Sequence, residues 1–150
     1  MLSLQEISDR LEIEDLMVRY SHAVDTHQWE LLDELFTTDA HIDYTAMGGP
    51  AGDVESTKKF LATVMPNFSA FQHMISNSSI RVDGDHATAR TMCHNPMLVT
   101  SSDGSRRLML CGLWYHDTFK RVDGEWRIQQ RVEEKSYMFI APDAVPTATS

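Results

Sequence analysis

At 150 residues, 42% hydrophobic and 23% charged, the chain has the make-up of one globular domain large enough to enclose a cavity. A formal net charge of -9 excludes a general affinity for nucleic acid or anionic membrane, since both need clustered Lys and Arg. Cys93 and Cys111 lack metal-ligand or redox spacing, no basic-then-apolar leader opens the chain, and no run approaches the ~18 apolar residues of a membrane span. A cytoplasmic protein with buried free thiols is expected.

Apolar residues at Leu4, Ile7, Leu11, Leu16, Met17, Tyr20, Ala23 and Val24 predict a first helix with one buried face. The stripe stops at Asp25, where a carboxylate meets the carbonyl end of the helix dipole. Two readings explain it. Asp25 caps a second helix over 28–36, with Gln28 closing a capping box, or it serves as the acidic partner of a histidine from a strand.

Trp29, Leu31, Leu32, Leu35 and Phe36 make that second helix amphipathic, and His41 to Thr45 alternates as a strand. The glycine run over 48–52 has neither a P-loop ending nor dinucleotide spacing, so it is expected to form a rim or lid loop. A third helix follows over 54–65 and stops at Pro66. Turn signals at Asp83-Gly84-Asp85, Asp103-Gly104-Ser105 and Asp123-Gly124 then separate four long strand segments, 71–82, 86–100, 106–122 and 125–139. Strands of that length bend, at bulges, around something. Residues 1–140 are expected to form one α+β domain: a cone-shaped, curved antiparallel sheet with about three N-terminal helices over its concave face. Residues 141–150, rich in Pro, Ala and Thr, read as a loose tail.

The run Ile13-Glu14-Asp15-Leu16-Met17-Val18-Arg19-Tyr20, then Asp25, Trp29, Leu32 and Leu35-Phe36-Thr37-Thr38-Asp39-Ala40, resembles the opening of the SnoaL-like branch of the nuclear-transport-factor-2-like superfamily. Gly124-Glu125-Trp126-Arg127-Ile128 resembles its last hairpin, so the likeness spans roughly residues 5 to 138. That scaffold hosts dehydratases, isomerases, cyclases, hydrolases and non-catalytic subunits. In site pattern the chain is similar to the dehydratase-like lyases, such as bile-acid dehydratase, scytalone dehydratase and hexachlorocyclohexane dehydrochlorinase. The resemblance assigns Tyr20, Asp25 and His73 to a bile-acid-dehydratase-like site, with Arg131 as its strand arginine. His94 is the counterpart of a second histidine of scytalone dehydratase. The dehydrochlorinase has Lys where Tyr20 stands, which counts against dehydrohalogenation.

Alternation places Phe71, His73 and Ile75 on one strand face, where a histidine needs a hydrogen-bond partner, and Asp25 is the one expected. Arg131 lies among polar residues, so exposed pairing with Glu133 or Glu134 competes with a pocket role. Tyr20 is either core or a pocket donor. His22, His27, His41, Asp43, His116 and Asp117 lack paired-ligand spacing and are read as surface residues, so no metal is expected. No Gly-x-Ser-x-Gly elbow suggests a serine nucleophile.

These readings give a cofactor-independent, dehydratase-like lyase acting on an apolar cyclic substrate of steroid, aromatic or polyketide type. His73 is the base, Asp25 its orienter, Tyr20 a donor to the charged oxygen, and Arg131 or His94 the helper of the leaving group. Phe68, Phe71, Met92, Met97, Met109, Trp114, Tyr137 and Met138 are the candidate lining. Isomerisation or cyclisation by the same base, and a passive apolar-ligand or oligomerising module, are the alternatives. A homodimer or homotrimer is expected to cover the outer sheet face.

Overall fold

The computed structural model describes residues 1–101 and 103–141. The tail expected over 141–150 lies, apart from its first residue, outside them. Ser3 caps α1 (Leu4–Asp25) by accepting from the Glu6 N–H. A 3-10 turn over Trp29–Leu31 leads into the single turn α2 (Leu32–Leu35) and then β1 (Phe36–Asp43). After β2 (Ala51–Gly52), Asp53 caps α3 (Val54–Val64). The remaining strands are β3 (Phe68–Phe71), β4 (Met74–Asp83), β5 (His86–Thr100), β6 (Arg106–Val122) and β7 (Glu125–Ile140). Asp123 and Gly124, both at positive φ, form the tight turn between β6 and β7.

The sheet runs β2-β1-β7-β6-β5-β3, with β4 also on β5. It is antiparallel except where β1 lies parallel to β7, which makes it mixed. The helices pack on its concave side, and this is the α+β cone expected from the sequence.

The first helix buries one side only. Asp9, Ile13, Leu16, Met17, Tyr20, Ala23 and Val24 are buried, while Leu4, Ile7 and Leu11 are 87%, 41% and 60% exposed. At about 100° per residue those three project nearly opposite the buried set, so the expected single stripe was two stripes on opposite faces. The inward polar position is Asp9, which accepts from Gln5 and Trp126 Nε1 and pairs with Arg121.

Two bulges in β7 set what enters the cone. Thr118 pairs with Gln130 and Phe119 with Ile128, leaving Gln129 extra; Gly112 pairs with Tyr137 and Leu113 with Lys135, leaving Ser136 extra. Each extra residue reverses the alternation. Trp126 and Ile128 point inward before the first bulge, Arg131 and Glu133 after it, and Met138 after the second.

Candidate active site

Asp25 ends α1 and caps nothing; the N-cap of the 3-10 turn after it is Gln28, with no side-chain cap bond, which removes the capping reading. Its carboxylate takes hydrogen bonds from His73 instead. The His73 backbone N–H donates to Oδ2 at 3.0 Å, and the imidazole Nδ1 lies 2.6 Å from Oδ1. Bonds to a charged acceptor contribute about 1.5–3 kcal/mol each, against a few tenths to about 1 kcal/mol of dipole penalty at the helix end.

His73 is free to do this because it lies between β3 and β4, not inside one long strand as expected. Both strands pair with β5, and the break faces Asn95 and Pro96. Pro96 accepts from Gln72 N at 3.2 Å but has no N–H to return, so the ladder lapses there. The His73 N–H turns to Asp25, and its side chain, 9% exposed, enters the cone. With the ring proton on Nδ1, facing the carboxylate, Nε2 is the unprotonated nitrogen, and its lone pair accepts from the Asn95 amide Nδ2 at 2.9 Å, a bond that a substrate proton would have to displace.

The open-mouthed cavity beside His73 has a volume of about 150 Å³ and is also lined by Tyr20, Tyr44, Asn95 and Glu133. Tyr20 and Tyr44 share a short hydroxyl–hydroxyl hydrogen bond. One of them donates, so the other keeps an O–H to offer a ligand. Burial first, for both, raises their pKa values and keeps them neutral. Gly49, on the rim, has no room for a Cβ, which would stand 2.7 Å from the Tyr44 Cβ. Glu133 is half-buried, and its Oε2 has no partner. Burial lifts its pKa to about 8; Arg131 opposes the rise and Asp43 adds to it.

Of the lining expected from the sequence, Phe68, Met97, Met109 and Met138 border the cavity. Phe71 instead stacks on His27 and meets His73 edge-on, and does not border the cavity. Met92 and Trp114 alternate to the outer sheet face, where Arg90 lies 3.7 Å over the Trp114 ring. Tyr137 is also outside, with its hydroxyl 2.8 Å from His94 Nδ1. His94 therefore does not reach the cavity, because Asn95 holds the inward position.

Arg131 is corrected too. It is fully buried, with two 2.8 Å bonds to Asp117, and lies 4.1 Å from the Tyr20 ring and 4.0 Å from the Tyr115 ring. It braces the tyrosines from behind and does not border the cavity. Asp117, expected at the surface, is its buried partner. Sequence reasoning missed Tyr44, Asn95 and Glu133. Alternation along β5 pointed to Asn95 with Cys93 and Met97; no local signal marked Glu133, whose orientation depends on the bulge at Gln129. Among the described residues no three His, Cys, Asp or Glu side chains converge as metal ligands, and no helix is long and apolar enough to cross a membrane.

A helix-covered cone with a cavity and a carboxylate-held imidazole defines an α+β domain with a candidate acid/base site. The chain belongs to the SnoaL-like domain family, whose model matches residues 5–132. It is 47% identical over 137 residues, 91% of this chain and 92% of the relative, to an uncharacterized protein of Mycobacterium tuberculosis. A candidate scytalone dehydratase from Novosphingobium aromaticivorans superposes with TM-score 0.78 at 25% identity, covering 96% of each chain. The hexachlorocyclohexane dehydrochlorinase of Novosphingobium barchaimii gives 0.78 at 21% identity, covering 96% of this chain and 99% of that one. At that identity the second likeness speaks for the fold alone.

Proposed function

We propose that the protein is a cofactor-independent lyase that removes water from a small, largely apolar cyclic compound bearing a carbonyl group. The observation that carries this is the 2.6 Å contact between Asp25 and His73 Nδ1, which directs the basic Nε2 into the cavity. A neutral imidazole removes protons from carbon only where the C–H is acidified, so the substrate carries a carbonyl beside that carbon. The tyrosine hydroxyl left free by the Tyr20–Tyr44 bond stabilises the oxygen that gains charge. A positioned base contributes about 100- to 10,000-fold.

An apolar cavity of about 150 Å³ takes benzene in another protein. A cavity of that size suits one ring, and a larger steroid or polyketide would extend through the rim near Met47 and Gly49. The simplest test compound is 3-hydroxycyclohexanone, whose loss of water gives a conjugated enone followed by absorbance. Turnover that depends on His73 supports the reading; binding of the ketone without turnover favours the second reading, a passive binding module, which the Met- and Phe-rich lining suits. Isomerisation or ring closure would use the same base.

The same proposal includes self-association through the outer sheet face, where Met74, Tyr137 and Phe139 are exposed. Sedimentation of the purified chain tests it, a dimer or trimer being expected.

A further inference from the structure

With His94 on the outside and Arg131 behind the tyrosines, the cavity has a base and a carbonyl donor but nothing yet to receive a leaving hydroxyl. We propose that Glu133 is that group: a neutral carboxylic acid that donates its proton to the departing oxygen. This rests on the lyase reading above.

The geometry supplies the argument. Glu133 borders the same cavity as His73, Tyr20 and Tyr44, on the first inward position after Arg131 in β7. Its buried Oε2 meets no protein donor, although buried polar atoms nearly always find one. The groups around it explain why no ion pair forms. Arg131 on its own strand is engaged by Asp117, Asp43 on β1 repels a second carboxylate, and Tyr20, Tyr44 and Cys111 are uncharged or raised by burial. A carboxyl in that setting keeps its proton up to about pH 8, so at neutral pH it donates.

In the reaction His73 Nε2 takes the proton beside the carbonyl, and that bonding pair becomes the new C=C bond. The C–O bond breaks with its pair going to oxygen, which leaves as water with the Glu133 proton. The imidazolium gives up its proton to solvent and the carboxylate regains one. The sum is one β-hydroxyketone giving one enone and one water.

Two readouts separate this from the base itself. Cyclohexanone exchanges its α-protons in D2O without losing a leaving group, whereas 3-hydroxycyclohexanone must lose water. Glu133→Gln is expected to lower the ratio of elimination to exchange about 100-fold, and wild-type elimination to decline as pH rises through about 8 with that limb absent from the variant. An unchanged ratio in Glu133→Gln, or a Glu133 carboxyl that titrates below pH 6 by carbon-13 NMR, overturns the proposal. Exchange lost in Asp25→Asn with an unchanged ratio in Glu133→Gln would discard Glu133 and keep the base. A wild type catalysing neither reaction contradicts the base and takes this proposal with it.

Discussion

Asp25 receives both the backbone N–H and the ring Nδ1 of His73, at 3.0 and 2.6 Å, so one carboxylate fixes where the histidine lies and which ring nitrogen is basic. Asp25→Asn keeps an acceptor for the backbone but offers an amide that can donate to the ring. Nitrogen-15 NMR of the wild type should show the neutral His73 ring protonated at Nδ1, and the variant a shift toward Nε2–H. The melting temperature should fall by the equivalent of about 1.5–3 kcal/mol. An unchanged tautomer would mean that Asp25 does not orient the ring.

Arg131 and Asp117 are expected to govern stability. Asp117→Asn leaves a buried guanidinium without its counter-charge, at a cost of about 3–5 kcal/mol in chemical denaturation. Replacing both, Arg131→Met with Asp117→Leu, should cost less than the single change. Additive losses would show that the pair has no mutual dependence.

The stability of the folded chain should also depend on Glu133. Its pKa is raised from 4.5 to about 8 on folding, so the native state holds a proton that the unfolded chain has released between those values. The stability this provides is complete below about pH 4.5 and is lost as pH rises through about 8. Glu133→Gln should flatten that decline, making the variant relatively more stable at pH 9 than at pH 5. Parallel melting curves across the range would contradict a buried neutral carboxyl.

His94→Ala should leave turnover within about twofold of the wild type, because the ring bonds Tyr137 on the outer face. If that face is the self-association surface, the variant should weaken it in sedimentation. A large loss of turnover with unchanged assembly would return His94 to the site.

Much of the fold was legible because its punctuation is local. Asp83-Gly84, Asp103-Gly104 and Asp123-Gly124 announce hairpins by backbone chemistry, and the strands between them end within a few residues of expectation. Pairing without a connecting turn was not legible: β1 lies parallel to β7 almost ninety positions away. The dyad could be read because Asp25 and His73 each look out of place locally, an acid at a helix end and a histidine on an apolar face. Arg131 could not, since its burial follows from the extra residue Gln129, which reverses the alternation. Leu4, Ile7 and Leu11 misled for a related reason: their spacing is helical, yet their face is the wrong one.

The most direct test of the central claim is α-proton exchange of cyclohexanone in D2O, followed by proton NMR for the wild type, His73→Ala and Asp25→Asn. The account predicts catalysed exchange in the wild type and a loss of about 100-fold or more in both variants, each checked to be folded. Exchange that persists at the wild-type rate in a folded His73→Ala would contradict it.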